Sequence, residues 1–259
     1  MKRLLDQGEP PPVAIENAGG GSPVVLLCEH AGRRIPRALG ALGLADEHLS
    51  KHFMWDIGAL DVAQRLSRAL DAPMVHQRYS RMVCDCNRPT HAGSYIPSEG
   101  EGIPVPGNVG LTDADRDART EAIWSPFHAE VAQILDDRAG RPTALVTIHT
   151  FTPVFFGVRR DFAAGILFAR DPAFAPALVG ELAARVEGGV RANEPYTVDR
   201  DSDVAIPVHG EDRGLPCALV EIRNDLVYDA QGAARWASHL ANAIRAALPA
   251  AGITQKESR

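Results

Sequence analysis

The chain has 259 residues, 45% hydrophobic and 23% charged, which suits a globular protein and excludes global disorder. Its net charge of −6 lacks the basic footprint that phosphate-backbone binding requires, so nucleic acid is not an expected partner. No apolar run reaches the roughly 20 residues needed to cross a bilayer, and Met1-Lys2-Arg3 is followed by only Leu4-Leu5 before Asp6. A cytoplasmic protein with no membrane partner is expected; oligomeric state is not readable.

One domain is expected, because α/β folds often pass 200 residues as a unit. Residues 1–22 carry Pro10-Pro11-Pro12 and Gly19-Gly20-Gly21 and are expected to form an arm without regular structure. The domain is expected over 23–250 and a tail over 251–259. Val24-Val25-Leu26-Leu27-Cys28 reads as a strand buried on both faces, ending in Glu29-His30-Ala31-Gly32. Ala59, Val62, Ala63, Leu66, Ala69 and Leu70 recur at helical spacing, Asp71-Ala72-Pro73 closes that helix, and Met74-Val75-His76 opens another strand. Met82-Val83-Cys84 is expected as strand, leading into Asp85-Cys86-Asn87-Arg88-Pro89. From there to Gly110 glycines and prolines predict a long loop.

Thr112 with Asp115 predicts a helix cap; Ile123, Phe127, Ile134 and Leu135 form that helix's apolar face, and Pro126 is expected to kink it. Thr143 to His149 is the clearest central strand. Gly165–Ala169 and Ala218–Ile222 are two more, and Ala233, Trp236, Ala237, Leu240, Ile244 and Leu248 mark the last helix. Strands alternating with helices predict an α/β fold, a single three-layer α/β/α domain on a mostly parallel mixed sheet. Cys28, Cys84, Cys86 and Cys217 are too few for a disulfide scaffold and read as reduced core residues.

Ligands of such sheets sit outside the carboxyl ends of the strands, where His30, Asp85, His149 and Glu221 fall. Two imidazoles, His30 and His149, on one rim suggest a metal. A catalytic zinc takes three protein ligands and keeps one position open, so a third is needed. Asp56 is the candidate, with a second reading as an acid at a helix N-terminus. Glu29 is a weaker one, because neighbours on an extended chain point to opposite faces. Glu221 ends an apolar strand, where a carboxylate is costly unless solvated, paired or functional; its most useful role is general base. Arg81, Arg88, Arg159, Arg160 and Arg223 lie near the proposed rim in an acidic protein and suggest an anionic substrate. His128 reads as structural, with a supporting role toward the metal as the alternative, and His209 as lining the pocket or decorating a loop. There is no G-x-S-x-G elbow or Walker loop, and the glycine run precedes a strand, the wrong order for a dinucleotide fingerprint.

Cys28-Glu29-His30-Ala31-Gly32, Cys84-Asp85-Cys86-Asn87-Arg88-Pro89, Ile148-His149-Thr150-Phe151-Thr152-Pro153 with Gly157, and Val220-Glu221-Ile222-Arg223-Asn224-Asp225 together resemble the N-formylglutamate amidohydrolase family over residues 23–248. The resemblance implies a zinc exopeptidase-like (phosphorylase/hydrolase-like) fold, similar to zinc carboxypeptidases and aspartoacylases. It implies one Zn2+ per chain on His30, Asp56 and His149, with a zinc-bound water attacking the amide and Glu221 as base. It also implies a small anionic N-acyl amino acid as substrate, N-formyl-L-glutamate, as in histidine degradation. Asn87-Arg88 resembles the pair that holds the substrate carboxylate in aspartoacylases, and Arg81, Arg159 and Arg223 are further candidates for substrate binding. The chain departs from the carboxypeptidase histidine-x-x-glutamate pair, since Arg33 stands where that glutamate would be. The alternatives are a zinc amidase for another N-acyl amino acid or peptide fragment, and a metal-free binding protein on the same fold.

Overall fold

The apolar runs become the centre of a seven-stranded sheet in the computed structural model, which describes residues 3–254. Residues 1–2 of the expected arm and 255–259 of the expected tail lie outside the described residues. In chain order the strands are β1 (Val13–Glu16), β2 (Val24–Cys28), β3 (Met74–Gln77), β4 (Glu99–Gly100), β5 (Ile103–Pro104), β6 (Ala144–Phe151), β7 (Val154–Phe155), β8 (Val158–Arg159), β9 (Ala164–Leu167), β10 (Val190–Ala192) and β11 (Cys217–Arg223). The α-helices are α1 (Ala59–Leu70), α2 (Asp113–Arg119), α3 (Ser125–Asp136), α4 (Phe174–Ala183) and α5 (Ala230–Ala247). The sheet order is β1-β3-β2-β6-β11-β9-β10, while β4–β5 and β7–β8 are separate hairpins. Strands β3, β2, β6 and β11 run parallel, β1 is antiparallel on β3, and β9 is antiparallel on β11. The sheet is mixed and mostly parallel, with helices on both faces.

Period-two alternation sorts each buried strand between two cores. Val24, Leu26 and Cys28 of β2 pack with α1, α4 and α5, whereas Val25 and Leu27 pack toward α3 and the loops beside it. Strands β6 and β11 divide in the same way: Val146 and Val220 face the first core, Leu145 and Leu219 the second. Val62, Leu66 and Leu70 of α1 share the first core with Trp236, Leu240 and Ile244 of α5. Truncating Leu66 to alanine there would cost about 2–5 kcal/mol.

Four expectations are corrected. The arm does carry a regular element: Val13 to Glu16 pairs with β3 in the register Val13↔Gln77 to Glu16↔Met74. An edge strand tolerates the neighbouring prolines because its outer side bonds no partner, so the sheet begins ten residues before the expected boundary at 23. Met82-Val83-Cys84 is not a strand, because β1 already occupies the sheet position beyond β3. Its carbonyls bond side chains instead: Asn108 Nδ2 donates to Met82 O at 2.8 Å and the buried Arg119 guanidinium to Val83 O at 3.0 Å. The Thr112–Asp115 box forms as expected, but the helix is interrupted by a π-helical segment, Thr120–Trp124, immediately before α3. A wider turn accommodates the N–H that Pro126 lacks. Finally, β6 and β11 stay paired to Phe151↔Arg223, two residues beyond His149 and Glu221. The chemistry therefore lies one pleat inside the rim.

Candidate active site

His149 and Glu221 are register partners on adjacent parallel strands, so both side chains leave the same face of the sheet. His30 comes two residues after β2, and the long connection from there to α1 supplies Asp56. Two glycines hold that connection down. A Cβ on Gly32 would come within 2.1 Å of the Arg78 carbonyl carbon, and one on Gly58, at φ +85°, within 2.4 Å of Val227 O. Asp56 N donates to His30 O at 2.9 Å, which joins the two segments directly. Gly58 is the N-cap of α1 and has no side chain to cap with. The Asp56 carboxylate turns away from the helix and accepts from Thr150 N at 3.2 Å.

The structure brings His30, Asp56 and His149 together, all buried. Their converging atoms form a triangle. His30 Nδ1 and His149 Nδ1 are 3.1 Å apart, His149 Nδ1 and Asp56 Oδ2 3.0 Å, and His30 Nδ1 and Asp56 Oδ2 3.5 Å. The outer nitrogens face other carboxylates: His30 Nε2 is 2.7 Å from Asp85 Oδ1, and His149 Nε2 is 3.0 Å from Glu29 Oε2. With a proton on each Nε2, facing its carboxylate, each Nδ1 could present a lone pair to a metal ion at the centre; without one, His149 Nδ1 faces the Asp56 carboxylate and holds a proton of its own. Acceptor atoms this close need a positive charge among them, a metal ion or the proton that His149 holds. A tetrahedral ion with bonds of about 2.0–2.1 Å places its donors about 3.3–3.4 Å apart, so the triangle fits such an ion. Burial raises the Asp56 carboxyl, but the His30 and His149 imidazoles outweigh it and hold the group well below its ordinary value. Burial likewise opposes charge on His149, and hydrogen bonds to Asp56 and Glu29 reverse that and lift the imidazole well above its ordinary value.

Glu221 is buried and lines the same cavity, and its Oε2 has no hydrogen-bond partner among the described residues. Burial pushes its carboxyl up to about 8, against the pull of His149 and with the push of Asp56. The cavity is about 590 Å³ and is lined by His30, His149, Glu221, Arg81, Asn87 and Arg88 among others. Arg81 bonds Asp85 Oδ2 at 2.8 Å and lies 3.5 Å from Asp56 Oδ1. The Asn87 side chain is taken up by the protein itself, accepting from Val204 N and Ala205 N and donating to Asp203. Arg88 uses one terminal nitrogen on Asp203 and Ser202 O, both at 2.6 Å. Arg159 and Arg223 are not brought to the cavity: Arg159 is exposed on β8, and Arg223 bonds Asp225 and the carbonyls of Arg160 and Phe162.

The supporting carboxylates, Glu29 and Asp85, are what residue-by-residue reading assigns least well. Glu29 does point away from the centre, as its place beside His30 predicts, yet it reaches the far nitrogen of His149, across the β2–β6 pair. Thr147 Oγ1 also donates to it. His52, pushed down to about 4 by burial, and Tyr196 line the cavity; the signal for His52 was only its nearness to Asp56, and Tyr196 had none. Arg33 lies over the Trp55 ring, 5.4 Å from its centre, so the acid of the triangle comes from Asp56 and not from the third position after His30. His128 and His209 contact each other through Nδ1 and Nε2 at 2.7 Å, away from the triangle.

A family model of N-formylglutamate amidohydrolase matches residues 22–228. The chain belongs to this family. It is therefore a hydrolase of amide bonds. A gene product of Agrobacterium tumefaciens is 40% identical, with a TM-score of 0.93, over 97% of this chain and 100% of its own. The N-formylglutamate amidohydrolase of Ralstonia eutropha JMP134 is 17% identical, with a TM-score of 0.66, over 94% of this chain and 100% of its own, and shares the fold. The comparison with curated proteins gives no match. No helix among the described residues is long and apolar enough to cross a membrane.

Proposed function

We propose that the protein hydrolyses N-formyl-L-glutamate to L-glutamate and formate as a zinc enzyme of the cytoplasm, a step of histidine degradation. The observation that carries this reading is the triangle of His30, Asp56 and His149, whose outer nitrogens face Asp85 and Glu29, beside a carboxylate with an oxygen that has no partner among the described residues. Family membership supplies the substrate. His30, Asp56 and His149 would hold the ion, and Asp85 and Glu29 would orient the two imidazoles. When bound, zinc would polarise the scissile carbonyl and acidify a water. Glu221 takes the proton from the attacking water and passes it to the departing amide nitrogen. Its raised affinity for protons in the metal-free site suits both halves of that task, and a cation beside it would favour the carboxylate that begins the cycle. Arg88 keeps its remaining donors for a substrate carboxylate, because Asp203 and Ser202 hold only one of its terminal nitrogens.

The cavity volume favours one second reading, an N-acyl amino acid or peptide fragment longer than the formyl compound, since about 590 Å³ lies in the range that takes drug-sized ligands. Release of formate from N-formyl-L-glutamate, followed with the N-acetyl and peptide amides of glutamate and aspartate alongside, separates the two. Fastest turnover of the formyl substrate, lost on chelation and restored by zinc, supports the first reading. Preference for a longer acyl group overturns it, and hydrolysis of none, with no metal bound, leaves a binding protein.

A further inference from the structure

The arginines around the cavity differ in how far their charge is already neutralised. Arg81 bonds Asp85 and Arg88 bonds Asp203, at 2.8 and 2.6 Å. Arg160 has no such carboxylate partner among the described residues; its guanidinium makes one long contact, 3.5 Å to Thr152 O, and a side-chain hydrogen bond with Tyr196. Three rings hold it instead: its central carbon lies 4.5 Å from the centre of Phe155, 5.1 Å from Tyr196 and 5.6 Å from Phe151. Phe155 and Tyr196 line the cavity, and Arg160 reaches it through its seat against their rings. Stacking covers the faces of a guanidinium and leaves its N–H edges free in the plane, which is the geometry that grips a carboxylate with two bonds. The backbone beneath is anchored, since Arg160 N donates to Pro153 O at 2.9 Å and Arg223 Nη1 reaches Arg160 O at 3.5 Å.

We infer that Arg160 is the specificity-determining cation of the site, receiving the substrate carboxylate farthest from the scissile amide at the cavity mouth against Phe155 and Tyr196. The mouth position follows from Tyr196, which is 41% exposed, whereas His149 and Glu221 at the chemical end are buried. This assignment rests on the amidohydrolase reading above. It adds the reason for a dicarboxylate: a cation seated on rings and lacking a protein carboxylate is satisfied by a charged substrate end and not by its neutral amide.

The test compares N-formyl-L-glutamate with N-formyl-L-glutamine in the zinc-loaded parent, Arg160→Met and Arg160→Lys, with melting temperature and metal content measured on each preparation. The parent is expected to favour the glutamate compound by on the order of 100-fold in kcat/KM. Arg160→Met keeps a stem on the rings but no charge; it should lose most of that preference through KM, with kcat and the glutamine compound changed only a few-fold. Arg160→Lys keeps the charge without the planar grip and should lose on the order of 10-fold; it carries the test if Arg160→Met does not fold. A folded, metal-bound variant that keeps the parent's preference overturns the role of Arg160. A parent that hydrolyses neither compound overturns the amidohydrolase reading, and this assignment falls with it.

Discussion

Two pairs of buried histidines sit on the same side of the sheet. His30 and His149 bring ring nitrogens to 3.1 Å in a T-shaped contact, and His128 and His209 bring theirs to 2.7 Å with rings 13° from parallel. Burial disfavours charge in both. Around the first pair stand Asp56, Asp85 and Glu29, each within hydrogen-bonding distance of a ring nitrogen. Around the second stand Trp124 and Phe127, and His128 Nε2 and His209 Nδ1 have no hydrogen-bond partner among the described residues. His149 accordingly holds its proton well above the ordinary range, whereas burial, helped by its partner, pushes His128 down to about 3. His209 falls to about 4, again chiefly through burial. Proximity of two imidazoles does not by itself make a candidate metal site; only the first pair has a carboxylate converging on the same point.

The widest gap between the pairs should appear on truncation. His149→Ala is expected to abolish both bound metal and turnover, while His128→Ala should keep metal stoichiometry at about one per chain; metal analysis of both proteins checks this, and equal metal loss would erase the distinction. Glu221→Gln should retain metal and melting temperature while kcat falls by on the order of 100-fold to 10,000-fold, the range for a positioned general base. A drop in melting temperature with kcat nearly unchanged would make Glu221 a structural carboxylate. Asp85→Asn and Glu29→Gln should each weaken metal affinity by about 10-fold to 100-fold, read by competition with a chelator. Affinity equal to that of the parent would remove these acids from the comparison.

The smallest effect is one of pH. The folded-state values of His128 and His209 lie below the ordinary histidine value, so the unfolded chain binds more protons as pH falls from about 6.5 toward 4. The stability this pair contributes is present above about 6.5 and is lost through that window. His52, lowered to about 4, acts with the same sign, while the depressed carboxylates of Asp56 and Asp85 act only at lower pH. Melting temperatures of the parent and His128→Gln between pH 7.5 and 4.5 isolate the pair: the parent should fall more steeply, and parallel curves would show that the pair does not titrate on unfolding.

Much of this architecture is legible in the chain. Short apolar runs at Val24–Cys28 and Ala144–Phe151, spaced by a helical repeat at Ala59–Leu70, specify a mostly parallel layered fold because burial on both faces and helical periodicity are local properties of sequence. They also place His30 and His149 near one edge of the sheet, whereas Asp56 was only a candidate for the third donor, since its position before α1 equally suits an acid at a helix N-terminus; the folded chain brings it to the two imidazoles. The edge strand β1 was hidden because four residues between a proline run and a glycine run carry too little periodic signal, and the strand expected at Met82–Cys84 failed because β1 already occupies that edge.

By itself, then, the sequence determined the layer order, the reduced buried cysteines and the residue types that converge on one site. Tertiary structure decided the chemistry of each. Asp85 reaches His30 across 55 residues and Glu29 reaches His149 across 120, so which nitrogen keeps its proton depends on register and loop path. The same holds among the arginines, where Arg88 meets Asp203 across 115 residues and Arg160 meets three rings and no acid among the described residues. The physical reason is that hydrophobic period is set by neighbours along the chain, whereas a charge takes its character from groups within a few ångströms in space, which only the folded chain brings together.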